Sequence, residues 1–291
     1  MTAPRIGVVV LTQGRRPDDL RRAFESLLAQ HDVELDVVCV GNGWEPVDLP
    51  AGVRPVHLEE NLGIPAGRNA GAAHVGGELL FFLDDDAQLA GTYDLAAMAA
   101  RFALHPHLGL LQARVETTDG SDAPQRWVPR MGSPDPNRSG PVFSVWEGAL
   151  LARRAAFDAA GGWADPYFYA HEGIELAWRV WDAGYVVWYA GDLRVLHPPV
   201  DPRRHSQYLR LNARNRVWLA RRNLPVVLRP LYVGTWTAVQ LVRGARGRDG
   251  EGMRQWWRGF REGFAVDPGG VRTMSWRTVA RMSRYGRPPV V

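Results

Sequence analysis

The 291-residue sequence contains no lysine, so all 35 of its basic side chains are arginine. Arginine suits planar, bidentate phosphate recognition, but a GC-rich codon preference explains the same excess, and the excess alone assigns no function. The formal net charge is only +4. No recognisable nucleic-acid-reading motif accompanies the arginines, so we expect no nucleic-acid partner.

The sequence has one cysteine, Cys39, which excludes an internal disulfide framework. Cys39 lies in the apolar run 35–40, where a buried, unreactive thiol is expected. The first 25 residues also lack the basic start and long apolar stretch of a secretory signal, because charged residues between Arg15 and Asp19 interrupt the only apolar run. We therefore expect an unexported, cytoplasmic protein.

Strand-like and helix-like segments alternate in the first hundred residues. The order is strand, helix, two strands, helix and strand, which is typical of a parallel α/β sheet. The segments are strands at 6–11, 33–40, 53–58 and 78–83, and helices at 17–30 and 66–75. This pattern predicts an α/β fold with a doubly wound, mostly parallel sheet.

The second half begins with a predicted helix at 95–105 and a strand at 108–115, followed by a long polar loop at 117–140. Further helices are predicted at 153–160 and 173–183, with short strands at 186–189 and 193–196. Near residue 203 the composition changes to interleaved arginine and aromatic residues. We predict a first domain at 1–203, with parts at 1–115 and 140–203 on either side of the long loop, and a helical region at 204–291.

Three consecutive carboxylates, Asp84, Asp85 and Asp86, follow the apolar run 79–83. Carboxylates this close raise one another's pKa, and a divalent cation with oxygen ligands is the usual neutraliser. Open α/β sheets bind ligands beyond the carboxyl ends of their strands. The cluster therefore predicts a Mg²⁺ or Mn²⁺ site.

The segment 61–71, Asn-Leu-Gly-Ile-Pro-Ala-Gly-Arg-Asn-Ala-Gly, together with Leu-Asp-Asp-Asp at 83–86, resembles glycosyltransferase family 2. The likeness covers about residues 5–200 and is nearest to rhamnosyl- and galactofuranosyltransferase-like proteins of bacterial surface polysaccharides. It implies a GT-A fold and an inverting, metal-dependent transfer from a UDP-, dTDP- or GDP-linked sugar. The domain at 1–203 would then be the catalytic domain, with its donor-binding part at 1–115 and its acceptor part at 140–203. A saccharide or lipid-linked acceptor, in polysaccharide or glycolipid synthesis, is implied as well.

The resemblance also implies site residues. Metal ligands are expected at Asp84, Asp86 and His197, although a strand-end histidine without a role is an equal alternative for His197. Acceptor-side residues are expected at Trp146, Glu147, Trp163 and His171. Donor or nucleotide contacts are expected at Thr12, Gly14, Arg15, Asn42, Asn61, Gly63, Arg68, Asn69, Asp84 and Asp85.

Two positions depart from the family pattern. Gly41 stands where the family usually has an aspartate that reads uracil, which leaves the base unassigned. Gly173 stands where the catalytic aspartate is expected, so Glu172 or Glu175 must be the base. Glu172 is preferred because Glu175 can pair with Arg179 one helical turn on. Without a base the chain would be a nucleotide-sugar-binding scaffold, which stays an alternative.

The region from Tyr208 to Val242 is too interrupted by charge for a transmembrane span. Arginine and aromatic residues interleaved with an apolar body fit either a segment in the membrane interface, at the inner face of the cell membrane, or a packed helical subdomain. Both interpretations stay open, as does a homodimer. A sugar nucleotidyltransferase, the remaining enzyme alternative, needs a lysine that this sequence lacks.

Overall fold

A computed structural model describes residues 3–130, 134–199, 201, 205–247, 249–285 and 288–289. These residues form one mixed β-sheet with helices on both faces. The strands are β1 (Arg5–Thr12), β2 (Glu34–Asn42), β3 (Val53–Leu58), β4 (Leu79–Asp84), β5 (Gln88–Leu89), β6 (Leu108–Thr117), β7 (Gly140–Pro141), β8 (Ala149–Arg153) and β9 (Val186–His197). The helices are α1 (Pro17–Leu28), α2 (Ile64–Ala73), α3 (Asp94–Leu104), α4 (Arg154–Ala160), α5 (Glu172–Asp182), α6 (Tyr208–Asn223), α7 (Arg229–Gly247), α8 (Gly250–Ala265) and α9 (Trp276–Tyr285).

The strand order is β3-β2-β1-β4-β8-β6-β9-β5, with β7 paired to β9. Strands β3, β2, β1 and β4 are parallel, and β8 is antiparallel to both of its neighbours. Because β6 and β9 run in the same direction as β4, the sheet is mostly parallel, and the predicted fold class is confirmed. The sequence predicts two separate short strands at 186–189 and 193–196, but both segments belong to the single strand β9.

Both faces of β4 are buried, which explains its uninterrupted apolar sequence. Phe81 packs on the face that contains Phe24 of α1, and Phe82 packs on the opposite face with Phe157 of α4. The only polar residue of β4 is Asp84, where the strand ends. Thr12 ends β1 and Asp84 ends β4, at one edge of the sheet.

Helix α6 belongs to the core, because ten of its 16 residues are buried and Trp218 and Leu219 join the cluster that contains Phe82. A membrane-interface role for the α6 part of 208–242 is therefore wrong. Helix α7 differs, since Leu231, Leu241 and Val242 are exposed. Within the described residues, no helix combines the length and apolar character needed to cross a bilayer. The predicted boundary at 203–204 lies outside the described residues.

Candidate active site

Two strand ends bring a histidine to the aspartate cluster. Asp84 ends β4, Asp85 and Asp86 follow it, and the pairing of β5 with the end of β9 sets His197 beside them. His197 Nε2 lies 3.1 Å from Asp86 Oδ1. One ligand atom from each of Asp84, Asp86 and His197 lies within 4.8 Å of the other two. The three residues predicted as metal ligands therefore form one group.

The imidazole of His197 packs edge-on against two indole rings, with centroid distances of 5.4 Å to Trp127 and 4.9 Å to Trp146. It is 5% exposed, and its Nδ1 has no hydrogen-bond partner in the described part of the chain. Burial would raise the pKa of Asp86, but the hydrogen bond and charge of His197 and the charge of Arg16 outweigh it, and this pKa is lowered. Asp86 is thus a carboxylate, the form that binds a cation.

Arg16 and Thr12 hold the neighbouring carboxylates. Thr12 Oγ1 donates to Asp85 Oδ2 at 2.7 Å, and Arg16 forms ion pairs with both Asp85 and Asp86. Burial raises the pKa of Asp85 to about 6, against the opposing charge of Arg16 and the hydrogen bond from Thr12. The sequence prediction chose Arg15, which is exposed, and missed Arg16. The available signal was the place of Arg16 directly before Pro17, where β1 gives way to α1.

Two glycines allow the loops beside this cluster to approach Trp44. Gly14 has φ +69°, and a Cβ there would lie 2.3 Å from the Trp44 indole ring. A Cβ on Gly41 would lie 1.9 Å from the Trp44 carbonyl oxygen. An aspartate at position 41 is therefore incompatible with this loop path, which gives the departure from the family pattern a steric cause.

Arg68, on α2, ties the first aspartate to the segment before β8. Its Nη2 donates to Asp84 Oδ1 at 2.7 Å and to the Glu147 carbonyl oxygen at 3.2 Å. The guanidinium is buried and lies 4.9 Å from the centre of the Trp163 ring. Arg68 therefore orients Asp84 from inside the protein.

The three asparagines predicted to contact the donor, Asn42, Asn61 and Asn69, form hydrogen bonds with other groups of the protein. Asn42 Nδ2 donates to Asn61 Oδ1 at 2.9 Å and to the Gly63 carbonyl at 3.1 Å. Asn69 Nδ2 donates to the Trp163 carbonyl, and its Oδ1 accepts from the Trp163 N–H, both at 2.9 Å. These residues shape the loops around the site, and direct donor contacts from them stay a prediction.

The predicted acceptor-side tryptophans differ in position. Trp146 is partly exposed and packs against His197. Trp163 is 2% exposed and meets the Phe82 ring edge-on at 5.1 Å. The prediction of an acceptor contact at Trp163 is corrected accordingly, because its ring belongs to the core.

Helix α5 begins after an unusual turn, in which Phe168, Ala170 and His171 have φ of +65°, +71° and +76°. Positive φ is costly for residues other than glycine and concentrates at functional sites. His171 is buried, neither ring nitrogen has a partner in the described residues, and burial lowers its pKa well below the usual value, so the ring is neutral. Glu172 Oε2 likewise lacks a described partner.

Glu147 reaches the same helix end. Its Oε1 accepts the Gly173 N–H at 2.8 Å. Burial first, and then the charge of Glu172, raise the pKa of Glu147 to about 8, while Arg68 opposes the shift. Burial also raises the pKa of Glu172, again against Arg68. Two glutamates with raised pKa values therefore lie close to Asp84, which Arg68 binds.

Glu175 has a different environment. It is 1% exposed, and its carboxylate accepts from Arg222 Nη2 at 2.8 Å, from Asn223 Nδ2 at 2.9 Å and from the Tyr167 hydroxyl. The predicted pairing with Arg179 is present as well, at 2.7 Å. Both oxygens are saturated and buried, which favours a structural role for Glu175, and a role as the base stays a prediction.

The family model described as Glycosyl transferase family 2 matches residues 7–160. A crystal structure of GalNAc-T7 with UDP, GalNAc and Mn²⁺ superimposes with a TM-score of 0.60 at 13% identity, covering 79% of this chain and 50% of that one. No curated protein sequence matches the chain.

Two further solved structures are similar over nearly the whole chain. S. aureus TarS 1–349 in complex with UDP-GlcNAc gives a TM-score of 0.61 at 16% identity, covering 96% of this chain and 84% of that one. The mannosyltransferase PcManGT from Pyrobaculum calidifontis, in complex with GDP-Man and Mn²⁺, gives 0.54 at 16%, covering 99% and 77%. At these identities the likeness shows the fold, and the predicted GT-A architecture is confirmed.

Proposed function

The chain belongs to glycosyl transferase family 2, whose model matches more than half of its length, and on that premise we propose an inverting, cation-dependent transfer of a sugar from a nucleoside diphosphate to a hydroxyl acceptor. The observation that carries the proposal is the cluster of Asp84, Asp86 and His197. It lies at the carboxyl ends of parallel strands, where open α/β sheets bind ligands.

The residues of this cluster fit a divalent cation. Two carboxylates and an imidazole are ligands that Mn²⁺ accepts, and Mg²⁺ accepts the carboxylates. The Nδ1 atom of His197 is buried, and it forms no hydrogen bond within the described part of the protein. When bound, such a cation would supply Lewis-acid stabilisation of the leaving diphosphate.

The surrounding residues hold the donor site in one shape. Arg68 fixes Asp84, Thr12 fixes Asp85, and Arg16 bridges Asp85 and Asp86. Arg16 is partly exposed and lies against carboxylates that would face a diphosphate, so we propose that it also contacts that group. Preorganised groups of this kind favour transfer because they need not rearrange during the reaction.

Inversion requires a carboxylate on the side of the anomeric carbon opposite the diphosphate, to accept the proton of the acceptor hydroxyl. Glu172 at the N-terminus of α5 and Glu147 in the segment before β8 lie near Asp84. The GalNAc-T7, TarS and PcManGT structures contain UDP, UDP-GlcNAc and GDP-Man, respectively. We propose a UDP-, dTDP- or GDP-linked donor and a saccharide or lipid-linked acceptor, in bacterial surface polysaccharide or glycolipid synthesis.

A non-catalytic, donor-binding protein is the second candidate, because Gly173 replaces the expected catalytic aspartate. Incubating the protein with UDP-, dTDP- and GDP-linked sugars, Mn²⁺ and simple saccharides separates the two candidates. An enzyme releases nucleoside diphosphate in a protein-dependent, EDTA-sensitive manner. Binding of nucleoside diphosphate and Mn²⁺ without any release, across the whole panel, would favour the scaffold.

A further inference from the structure

Another carboxylate, that of Glu147, lies against Gly173, the position at which the aspartate is absent. A Cβ atom placed on Gly173 would lie 2.1 Å from Glu147 Oε1 and 2.6 Å from Glu147 Cδ. Contacts under 3.0 Å are not found for real Cβ atoms. The carboxylate of Glu147 therefore fills the space in which a side chain at residue 173 would begin.

We propose that Glu147 replaces that aspartate as the catalytic base, an assignment that rests on the glycosyl transfer proposed above. Glu147 accepts the proton of the acceptor hydroxyl as the hydroxyl oxygen bonds to the anomeric carbon. The bond from that carbon to the diphosphate oxygen breaks, and its electron pair leaves with the nucleoside diphosphate. The proton then passes to solvent, so the products are one glycoside, one nucleoside diphosphate and one proton.

The backbone around Glu147 fixes its distance from the aspartate cluster. The carbonyl oxygen of Gly148 accepts the Asp84 N–H at 2.8 Å, and the carbonyl oxygen of Glu147 itself accepts from Arg68. Glu147 is thus one residue from a direct hydrogen bond to the first aspartate of the cluster. A base must be held within a fraction of an ångström of its working position, and these contacts provide that constraint.

The helix end holds the carboxylate from the other side. The Gly173 N–H belongs to the first turn of α5, whose free N–H groups carry partial positive charge. This contact favours the ionised form of Glu147, the form that accepts a proton. The nearby charge of Glu172 has the opposite effect and keeps the carboxylate a strong enough base to act near neutral pH.

Exposure separates Glu147 from Glu172. As whole residues, Glu172 is only 4% exposed and Glu147 is partly exposed, although the carboxylate of Glu147 is buried enough to raise its pKa. An acceptor hydroxyl arrives from solvent, and only a carboxylate that an incoming molecule can touch is able to take its proton. The geometry therefore favours Glu147 over the neighbouring glutamate that the sequence pattern indicates.

Three variants test the assignment: Glu147→Gln, Glu172→Gln and, as a matched control, Glu251→Gln in the exposed ion pair of α8. The measurements are nucleoside diphosphate release from the sugar-nucleotide panel with Mn²⁺, calorimetric affinity for nucleoside diphosphate with Mn²⁺, and the unfolding temperature. Glu147→Gln keeps the acceptor for the Gly173 N–H and removes the basic oxygen. We expect transfer to fall by ~10²–10⁴-fold, with nucleotide affinity close to that of the control and an unfolding temperature no lower than that of the control.

The assignment would be overturned by a Glu147→Gln protein that transfers sugar as fast as the control, or by a larger loss in Glu172→Gln than in Glu147→Gln. These results are distinct from failure of the proposed function itself. In that case the wild-type protein releases no nucleoside diphosphate from any donor, and the assignment fails with it.

Discussion

Helix α5 carries two glutamates, three residues apart, whose surroundings are opposite. At the first position of the helix, Glu172 has an oxygen without a described partner and lies near a second glutamate, Glu147. One turn later, Glu175 is saturated by arginine, asparagine and tyrosine donors from α6 and its surroundings. Residue type and helix position alone do not separate reactive carboxylates from structural ones. Hydrogen-bond satisfaction does, because a saturated carboxylate has no free lone pair for a substrate proton.

The same contrast between unsatisfied and saturated carboxylates distinguishes two regions of the molecule, the sheet edge and the contact between α5 and α6. The sheet edge around Asp86 concentrates carboxylates, which is costly in an isolated protein and useful to a ligand. The contact between α5 and α6 instead compensates its one buried carboxylate with Arg222 and Arg179. We expect substitutions at the sheet edge to reduce activity and substitutions at the helix contact to reduce stability.

The largest expected effect comes from the sheet edge. Asp86→Asn removes a charge from the cluster with little change in volume, so sugar transfer should fall by at least about 100-fold, the loss that follows from several kcal/mol of cation-derived stabilisation. Nucleoside diphosphate release under saturating donor measures the loss. Asp158→Asn, in an exposed position of α4, is the matched control. Equal rates in the two variants would contradict the proposed role of Asp86.

The second prediction concerns the helix contact. Glu175→Gln leaves the buried guanidinium of Arg222 without its negative partner, and removing one member of a buried pair typically costs about 3–5 kcal/mol. Denaturant unfolding should show a loss of this order, while nucleotide affinity below the unfolding transition stays near that of the wild type. A fully stable Glu175→Gln protein without transfer activity would return Glu175 to the candidates for the base.

The separation of the contacting residues along the chain determines which parts of this contrast can be predicted from the sequence. The aspartates were predictable because the apolar run before Asp84 forms a strand buried on both faces. His197 came from the family resemblance, since β9 reaches the cluster only through the sheet order. The saturation of Glu175 depends on Arg222, 47 residues away, and no local pattern indicates that contact.

Arg15 and Arg16 are chemically identical, so the only sequence signal that distinguishes them is the position of Arg16 directly before Pro17, where the backbone passes from β1 to α1. The contact between Glu147 and Gly173 joins residues 26 apart across two elements. In the sequence, Gly173 stands where a catalytic carboxylate is expected. In the structure, the absence of a side chain at Gly173 leaves room for the carboxylate of Glu147.

The third prediction is a pH dependence. Glu147 accepts a proton only when ionised, and burial together with Glu172 raises its pKa to about 8 against the opposing charge of Arg68. Below that pH, kcat/KM should fall by about tenfold per pH unit. A profile that is flat from about pH 6 to about pH 9 would count against Glu147 as the base.

The raised pKa also affects folding. Ionising Glu147 costs the folded state more than the unfolded state, so its contribution lowers the free energy of unfolding as pH rises from 4.5 to about 8. Glu147→Gln should not show this decline. Equal pH dependence of unfolding in wild type and variant would contradict the proposed environment of Glu147.

The smallest expected effect concerns α7 and α8, which lie outside the sheet edge and outside the contact between α5 and α6. Leu241 and Val242 on α7 and Trp257 and Phe264 on α8 are exposed, and arginines accompany them, as in helices that rest in a membrane interface. We predict co-sedimentation with anionic liposomes that weakens as salt is added. Replacing Trp257 by alanine should reduce binding by roughly fivefold, from the apolar area lost. Absence of binding at low ionic strength would leave these helices as an ordinary packed subdomain.

The central claim is that Asp84, Asp86 and His197 hold a cation that joins the protein to a diphosphate. Calorimetric titration of the wild-type protein with UDP, dTDP and GDP, each in Mn²⁺ and again in EDTA, tests it most directly. We predict that the nucleotide that binds does so at least about tenfold more tightly with Mn²⁺, because the carboxylates repel a diphosphate that no cation neutralises. Equal affinity in Mn²⁺ and in EDTA would contradict a cation-bridged donor site.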